Sequence, residues 1–446
     1  MELVGSRFRG LSVHGELGRG GMGRAYLASH DVLKTPLVLK TFEAPVEGDL
    51  FREAHLAARV DSPHVVGVLD AGEEDGVLFV VQRYVDGIDL DELRDRIQAT
   101  DGLLPTQAVI RMLLDVARGL GAIHRAGVVH RDIKPANLFL SGHGHALVGD
   151  FGIATDPFDG DAEHPAGTPA FIAPEIWCGA PAYPAADLYA LGATAHLLAT
   201  GTLPFAASDP AALRLAHTTQ PYAPPPTTDP TRAYLFTVIA SLLEKDPARR
   251  PPSAEALVRT LARIEEPAPP LTVSTDTRAE SAGLTIELSW GDLATAGADV
   301  IVNAAHAGLS MDVGVAAALR DAAGVSVEAD AMAAGPVSMG EVVWTGPGAL
   351  DASHMAHAVA ALDGAVCLQR ATLRTLLGAR SRGATSVAFP ALGTGVGGVP
   401  HALAAALMLS ASKTFASLGR GSVEHVRFVV YEQDALAVWS SVLRGM

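Results

Sequence analysis

The sequence predicts two domains of different class: an α+β domain in which strands precede helices, then a smaller α/β domain in which they alternate. Three observations lead there. The chain has 446 residues, more than one hydrophobic core usually serves. Strand-like segments dominate its first hundred residues and helical periodicity the next hundred and fifty, the order expected of two lobes with a cleft between them. After a Pro-rich and then small-polar stretch at 265–282, strands and helices take turns, the rhythm of a layered α/β domain. The expected boundaries are 1–264, a linker over 265–282 and 283–446.

In the first domain, His14–Gly18, Arg24–Ala28, Leu37–Thr41 and Leu78–Tyr84 carry β-branched and apolar residues between Gly-rich turns and read as strands. Val109, Met112, Leu113, Val116 and Leu120 fall on one face of a helix over Thr106–Arg125. Ala185–Thr200 and Arg232–Glu244 read as two more helices. In the second domain the expected strands are Leu284–Ser289, Val300–Val302, Val342–Thr345, Val387–Phe389 and Val426–Val430. The helices between and after them are Val313–Ala323, Ala365–Gly378, Pro400–Ser417 and Asp434–Leu443.

Composition narrows the function. Apolar residues make up 49% and charged residues 18%, which suits burial and not disorder. A net charge of −16 argues against a duplex-binding groove or a polybasic membrane patch, since both need clustered Lys and Arg. Small anions are still admissible, because backbone N–H groups at loops and helix N-termini hold phosphates without net positive charge. Cys178 and Cys367 are the only cysteines; they form no disulfide framework or zinc spacing and read as buried thiols in a reducing compartment. His143 with His145 and His354 with His357 lack a third ligand nearby in sequence. No uncharged apolar run reaches the roughly 18 residues that cross a bilayer, and a cytoplasmic protein is expected.

The run His130-Arg131-Asp132-Ile133-Lys134-Pro135-Ala136-Asn137, followed by Asp150-Phe151-Gly152, carries the most chemistry. It sets an acid, a lysine and an amide on one short loop and a second acid downstream, a set suited to moving a phosphoryl group from Mg-ATP to a hydroxyl. Its five fixed letters would meet by accident on the order of once in ten thousand chains of this length. Upstream, Gly18-Arg19-Gly20-Gly21-Met22-Gly23 sits between two strand-like segments. A dinucleotide-binding turn would need a helix after it; a hairpin folding over phosphates fits the strand-like Ala25-Tyr26-Leu27-Ala28. Lys40 ends a buried-strand pattern, with Glu53 following on a helix-like segment.

These motifs, over about Ser12–Ile264, resemble a eukaryotic-like bacterial Ser/Thr protein kinase, which implies a bilobal protein-kinase fold. The resemblance implies that Gly18, Gly20 and Gly23 cover the ATP phosphates and that Lys40 and Glu53 pair to position them. It implies further that Asp132 orients the acceptor hydroxyl, that Lys134 steadies the γ-phosphate, and that Asn137 and Asp150 hold Mg2+. Gly167-Thr168-Pro169-Ala170 and Ala173-Pro174-Glu175 match the end of the family's activation segment, and Glu175 is expected to pair with Arg249. Lys134 with Gly167-Thr168 favours Ser/Thr over Tyr acceptors. Ala25 stands where relatives usually have valine, and Gln82-Arg83 stands at the hinge entry. From Ile153 to Gly167 the one hydroxyl residue is Thr155, while Asp159, Asp161 and Glu163 add carboxylates; this predicts a kinase needing no activation-loop phosphate.

In the second domain, Trp290-Gly291-Asp292, Val300-Ile301-Val302-Asn303-Ala304-Ala305 and Ala391-Leu392-Gly393-Thr394-Gly395-Val396-Gly397-Gly398 suggest strands whose loops wrap a diphosphate. Over about Gly283–Met446 they resemble a macro domain, a three-layer α/β/α fold that binds ADP-ribose. By that resemblance Asp292 meets the adenine amino group and Asn303 the distal ribose. Val313, Gly314 and Val315 lie along one side of the diphosphate, and Gly393, Thr394, Gly395 and Val396 along the other. The chain departs from relatives that remove ADP-ribose from proteins: His306 and Ala316 replace the amide and acid that place water, Asp312 adds a carboxylate, and Gly397 replaces an aromatic. That predicts a reader and not a hydrolase.

The sequence thus predicts a Mg-ATP-dependent Ser/Thr kinase with a protein substrate, joined to a module for free ADP-ribose or an ADP-ribosylated protein, without nucleic acid or a membrane span. The competing expectations are a pseudokinase scaffold with an ADP-ribose reader, and a bifunctional kinase and ADP-ribosyl hydrolase.

Overall fold

A computed structural model describes residues 3–20, 23–42, 50–100, 102–150, 168–207, 209–362 and 365–446. Among these, the first domain opens with β1 (Arg7–Phe8), β2 (Leu11–Gly20), β3 (Gly23–His30), β4 (Pro36–Phe42), β5 (Val68–Glu74) and β6 (Val77–Arg83), one antiparallel sheet in the order β1-β2-β3-β4-β6-β5. Its strands alternate faces with period two. Tyr26, Ala28, Leu37, Leu39, Phe79 and Val81 close one face into a core of their own, and Lys40 lies one residue on from Leu39, on the other face. Helix α1 (Leu50–Ala57) packs beside this sheet.

Below it, β7 (Gly87–Asp89), β8 (Leu138–Ser141) and β9 (Ala146–Val148) form a small sheet. It rests on α2 (Leu90–Gln98) and α3 (Thr106–Arg125), with α4 (Pro174–Trp177), α5 (Pro184–Thr200), α6 (Pro210–Thr219), α7 (Pro230–Leu242) and α8 (Ala254–Leu261) completing a helical lobe. The apolar stripe read from the sequence of α3 is buried throughout, from Val109 to Leu120. Helix α5 is buried on nearly every side, so its own pattern carries no amphipathic signal. Four of these helices start at a Pro whose missing N–H costs nothing there. No described helix is long and apolar enough to cross a membrane.

The expected linker is largely structured. Gln107 on α3 holds the carbonyl of Ile264 and the N–H of Glu266, at 3.1 and 3.0 Å. Residues 272–281 then form a hairpin, β10 (Thr272–Thr275) and β11 (Arg278–Ser281), which extends the sheet of the second domain. Its polar letters are those of an edge, where one face meets solvent and Ala279 points inward; the second domain therefore begins near Thr272 and not at Gly283.

That sheet runs β10-β11-β12-β19-β18-β13-β15-β14, with β12 (Leu284–Trp290), β13 (Val300–Ala305), β14 (Val342–Thr345), β15 (His354–Val359), β18 (Ser386–Pro390) and β19 (His425–Val430). A two-stranded piece, β16 (Ala361–Leu362) and β17 (Ala365–Val366), stands apart. Strands β12, β19, β18, β13 and β15 are mutually parallel. Helices α9 (Gly314–Ala323), α10 (Ser326–Ala333), α11 (Leu368–Ser381), α12 (His401–Ser417) and α13 (Gln433–Arg444) supply the connections. Strand β15, whose Ala- and His-containing sequence shows no β signal, exists because β13 and β14 pair with it on both sides. The helix expected over Ala365–Gly378 starts only at Leu368.

One apolar core crosses the domain junction without a break. It runs from Leu90, Leu93, Leu138 and Leu140 of the first domain to Leu368, Leu373 and Leu376 of the second. Cys367 is buried as expected, whereas Cys178 is exposed just after the single turn of α4.

Candidate active site

The glycine segment is a hairpin, with Gly20 opposite Gly23 and the chain continuing as β3 and not as a helix. Gly23 is obligatory for packing reasons: a Cβ there would lie 1.9 Å from the carbonyl oxygen of Thr41 on β4. Gly18 has open space around it among the described residues, as a strand covering a ligand requires.

From β4, Lys40 reaches across the cleft and its Nζ forms an ion pair with Asp150 Oδ1. Asp150 follows β9 at φ +49°, a left-handed conformation that an aspartate tolerates and that ends the strand. Gly149 N–H donates to the Asn137 carbonyl at 2.9 Å, so the two loops are stitched together. On the first loop, Asn137 Nδ2 donates to Asp132 Oδ2 at 2.7 Å and to its backbone carbonyl at 2.8 Å, and Lys134 Nζ lies 2.8 Å from Asp132 Oδ2. Lys40, Asp132, Lys134, Asn137 and Asp150 are thereby brought together from three elements. The side chain of Glu53 lies outside the described residues, as do Phe151, Gly152, Thr155, Asp159, Asp161, Glu163 and Gly167.

Asp187 on α5 is a positioning residue to which the sequence reading assigned no role. It is 1% exposed. Its carboxylate accepts from the N–H groups of His130 and Arg131, at 2.8 and 2.9 Å, and lies 2.8 Å from His124 Nε2. Arg131 sits at φ +68°, a costly conformation for a residue with a Cβ that this carboxylate helps to hold. His130 is fully buried with Nε2 2.8 Å from the Gly149 carbonyl. A cavity of about 30 Å³ beside Arg131, Asp132 and Thr168 leads to this loop.

The expected pairing of Glu175 with Arg249 is wrong by one residue. Arg250, its side chain fully buried, makes the bidentate pair, both N–O distances being 2.7 Å. Arg249 points outward to Glu244. Arg250 also donates to the carbonyls of Glu244 and Ala185 and stacks over Tyr189. Sequence spacing left either arginine in reach, and the turn Pro247–Arg249 decides which one faces inward.

In the second domain the sheet sorts the remaining residues. Trp290-Gly291-Asp292 ends and leaves β12, Tyr431 leaves β19, Ala391 to Gly398 leave β18 and His306 to Val313 leave β13, all at the carboxyl ends of adjacent parallel strands, where open α/β sheets bind ligands. Gly314 at φ +57° opens α9, and Val315 and the buried Ala316 follow it. Gly393, Thr394, Gly395 and Val396 lie on a loop whose tip is free: Val396 is 92% exposed and Gly395 has nothing within 4 Å of a built Cβ. Asp292 is exposed and caps the following turn by accepting from Ala294 N–H. Asp312 and Val313 are exposed, and His306 Nε2 lies 2.8 Å from Ser310. Asn303 is fully buried. Its amide nitrogen lies 3.1 Å from His357 Nδ1, and its Oδ1 has no partner among the described residues. Burial pushes His357 down to about 4, so it is neutral at pH 7. The unpartnered oxygen fits a ligand hydroxyl better than a finished core. Trp290 and Tyr431 are exposed at the same strand ends, with Trp290 Nε1 donating to the Tyr431 carbonyl at 3.0 Å; Tyr431 was passed over by the sequence reading. Among the described residues no cluster of His, Cys, Asp and Glu is arranged for a metal ion.

Comparison with known proteins now assigns the class. The family model described as protein kinase domain matches residues 11–261, and that described as macro domain matches residues 302–408. The chain belongs to the protein kinase family and carries a macro domain behind the kinase domain. It is 37% identical over 269 residues to serine/threonine-protein kinase PknJ of Mycobacterium tuberculosis, covering 56% of this chain and 44% of that protein. It is 38% identical over 263 residues to PknF of the same species, covering 55% and 54%. It is 32% identical over 366 residues to pkn3 of Myxococcus xanthus, covering 76% and 66%. The chain thus spans about half the length of the first two relatives.

Proposed function

We propose that the chain is a Mg-ATP-dependent protein kinase that phosphorylates Ser or Thr on a protein, with a macro domain that binds ADP-ribose or an ADP-ribosylated partner. The observation that carries the first half is the pair between Lys40 and Asp150 across the cleft, joined through Gly149 and Asn137 to Asp132 and Lys134.

The residues suit the nucleotide and its ion: hard oxygen donors for Mg2+ at Asn137 and Asp150, and a lysine and glycine hairpin for phosphates. When bound, Mg-ATP supplies the transferable phosphoryl group. The chain's own residues do the positioning. Asp132 accepts the proton side of the acceptor hydroxyl and orients its oxygen. Lys134, within hydrogen-bond distance of that carboxylate, sets positive charge where charge builds up in transfer. Asp187 holds the loop still by its backbone. The intact set argues against a pseudokinase scaffold.

The second half rests on the four loops gathered at parallel strand ends and on the unpartnered Asn303 Oδ1. His306, turned onto Ser310, and Ala316, buried on α9, stand at the two positions where the hydrolytic relatives carry the amide and acid that place water, which favours a reader over a hydrolase. Transfer of label from ATP by the purified chain, with Lys40→Met as blank and identification of the acceptor residue, tests the kinase. Calorimetric titration with ADP-ribose tests the macro domain, and release of ADP-ribose from a modified protein would overturn the reader.

A further inference from the structure

The macro domain does not trail behind the kinase; it is seated across the hinge and touches both lobes. Leu17, Leu27 and Val38 from the upper sheet and Tyr84 from the hinge share one apolar cluster with Leu309, Met339, Val359 and Cys367 of the macro domain. Val38 faces the same side of β4 as Lys40, since side chains two apart share a face. Below the hinge, the Asp86 carboxylate accepts from Gln369 and Arg370 N–H, both at 2.9 Å, and so caps α11 from the other domain. Arg374 on α11 is bidentate to Glu92 on α2, both distances 2.7 Å. Gly142 lets α11 come this close: a Cβ there would lie 2.3 Å from Gln369.

The loop that leaves Asn303 takes part in this contact. Leu309 is fully buried in the shared cluster and sits at φ +62°, a conformation that packing must hold. The neighbouring Ala307 carbonyl accepts from Val337 N–H at 3.0 Å. The next residue, Ser338, donates its hydroxyl to the Glu16 carbonyl at 2.8 Å. Glu16 lies on β2, two residues before Gly18. An unbroken series of contacts thus leads from the macro ligand loop to the strand that covers the phosphates.

We infer that the macro domain is a built-in regulatory partner of the kinase hinge, and that a ligand at loop 306–312 and a nucleotide under the glycine hairpin change each other's affinity. The ligand half rests on the ADP-ribose reading above; the docking half stands on the interface. Packed contacts of this kind shift between discrete arrangements and do not deform smoothly, and coupling between two sites is reciprocal.

The test is calorimetric titration of the full chain with a non-hydrolysable ATP analogue and Mg2+, with and without ADP-ribose. ADP-ribose is expected to change the analogue's Kd about fivefold or more, and the analogue to change the Kd of ADP-ribose by the same factor. Ser338→Ala and Leu309→Ala should bring that factor close to one, and should by themselves shift the analogue's Kd roughly threefold, with Lys40 and Asp150 untouched. If ADP-ribose binds and neither Kd moves, the coupling is overturned. If ADP-ribose does not bind, the ligand reading falls and the analogue's Kd in the variants decides the docking: a shift supports it, and no shift overturns it. Should Leu309→Ala fail to fold, Ser338→Ala, which removes one hydroxyl, carries the decision.

Discussion

The kinase cleft and the strand-end loops of the macro domain are built in opposite ways. In the kinase cleft the charged and amide groups satisfy one another: Lys40 with Asp150, Lys134 and Asn137 with Asp132, and Asp187 beneath the loop. In the macro domain the loops at the strand ends offer backbone, exposed Val313 and Val396, and a buried Asn303 oxygen with no partner among the described residues. The difference teaches where preorganisation resides. A site that must move charge needs its side chains fixed before the substrate arrives. A site that only holds a diphosphate can rely on N–H groups and strand topology, and tolerates drift in its side chains.

If that contrast is right, changes to the cleft have the larger effect. Asp132→Asn should lower the phosphotransfer rate by about 10²–10⁴-fold, the usual worth of a positioned acid–base group, with the thermal transition little changed; a rate within tenfold of the parent, read by label transfer, would break the contrast. Next comes the frame beneath the cleft. Arg250→Ala leaves the Glu175 carboxylate without its buried partner and should destabilise the chain by about 3–5 kcal/mol, read as a lower midpoint in urea, while Arg249→Ala at the exposed neighbour should change it by no more than about 0.5 kcal/mol.

The domain junction adds a pH dependence. Burial pushes Asp86 up to about 6, against the lowering effect of the Arg370 and Gln369 N–H groups and the Arg370 charge, with Tyr84 and Cys367 also facing it. Its ordinary value is 3.8, so between those two pH values the folded chain holds more proton than the unfolded one. Stability from this group therefore falls as pH rises through that window and is level above it. Asp86→Asn should remove that fall, at most about 3 kcal/mol at 1.36 kcal/mol per unit, seen by comparing denaturation of the two chains at pH 4 and pH 7. The smallest effect belongs to the macro loop: Gly395→Ala has room for its methyl group and should alter stability by less than about 0.5 kcal/mol while weakening ADP-ribose binding, which would sharpen the view that this loop works through its backbone.

Much of this was legible in the letters, for a local reason. A loop that places Asp132, Lys134 and Asn137 within six residues is written by its own spacing, and the glycine hairpin is written by strand residues on both sides of it. Helix α3 declares itself by its stripe. Strand β15 and helix α10 do not, since neither has a periodic apolar face; each exists because a neighbour pairs with or covers it. The polar stretch before Gly283 reads as linker, because an edge hairpin and a solvated tether share a composition.

Sequence by itself determined the two families, the order of the domains, and the local motifs that carry nucleotide chemistry, because those depend on residues a few positions apart whose geometry the backbone sets. Tertiary structure alone decided that Arg250 and not Arg249 meets Glu175, that Asp187 holds the loop of His130 and Arg131, and that Leu309 and Cys367 meet the hinge and Ser338 meets β2, each more than 200 residues away. Those partners are chosen by which surfaces can be buried together, and burial is a property of the whole packed chain, not of any short stretch of it.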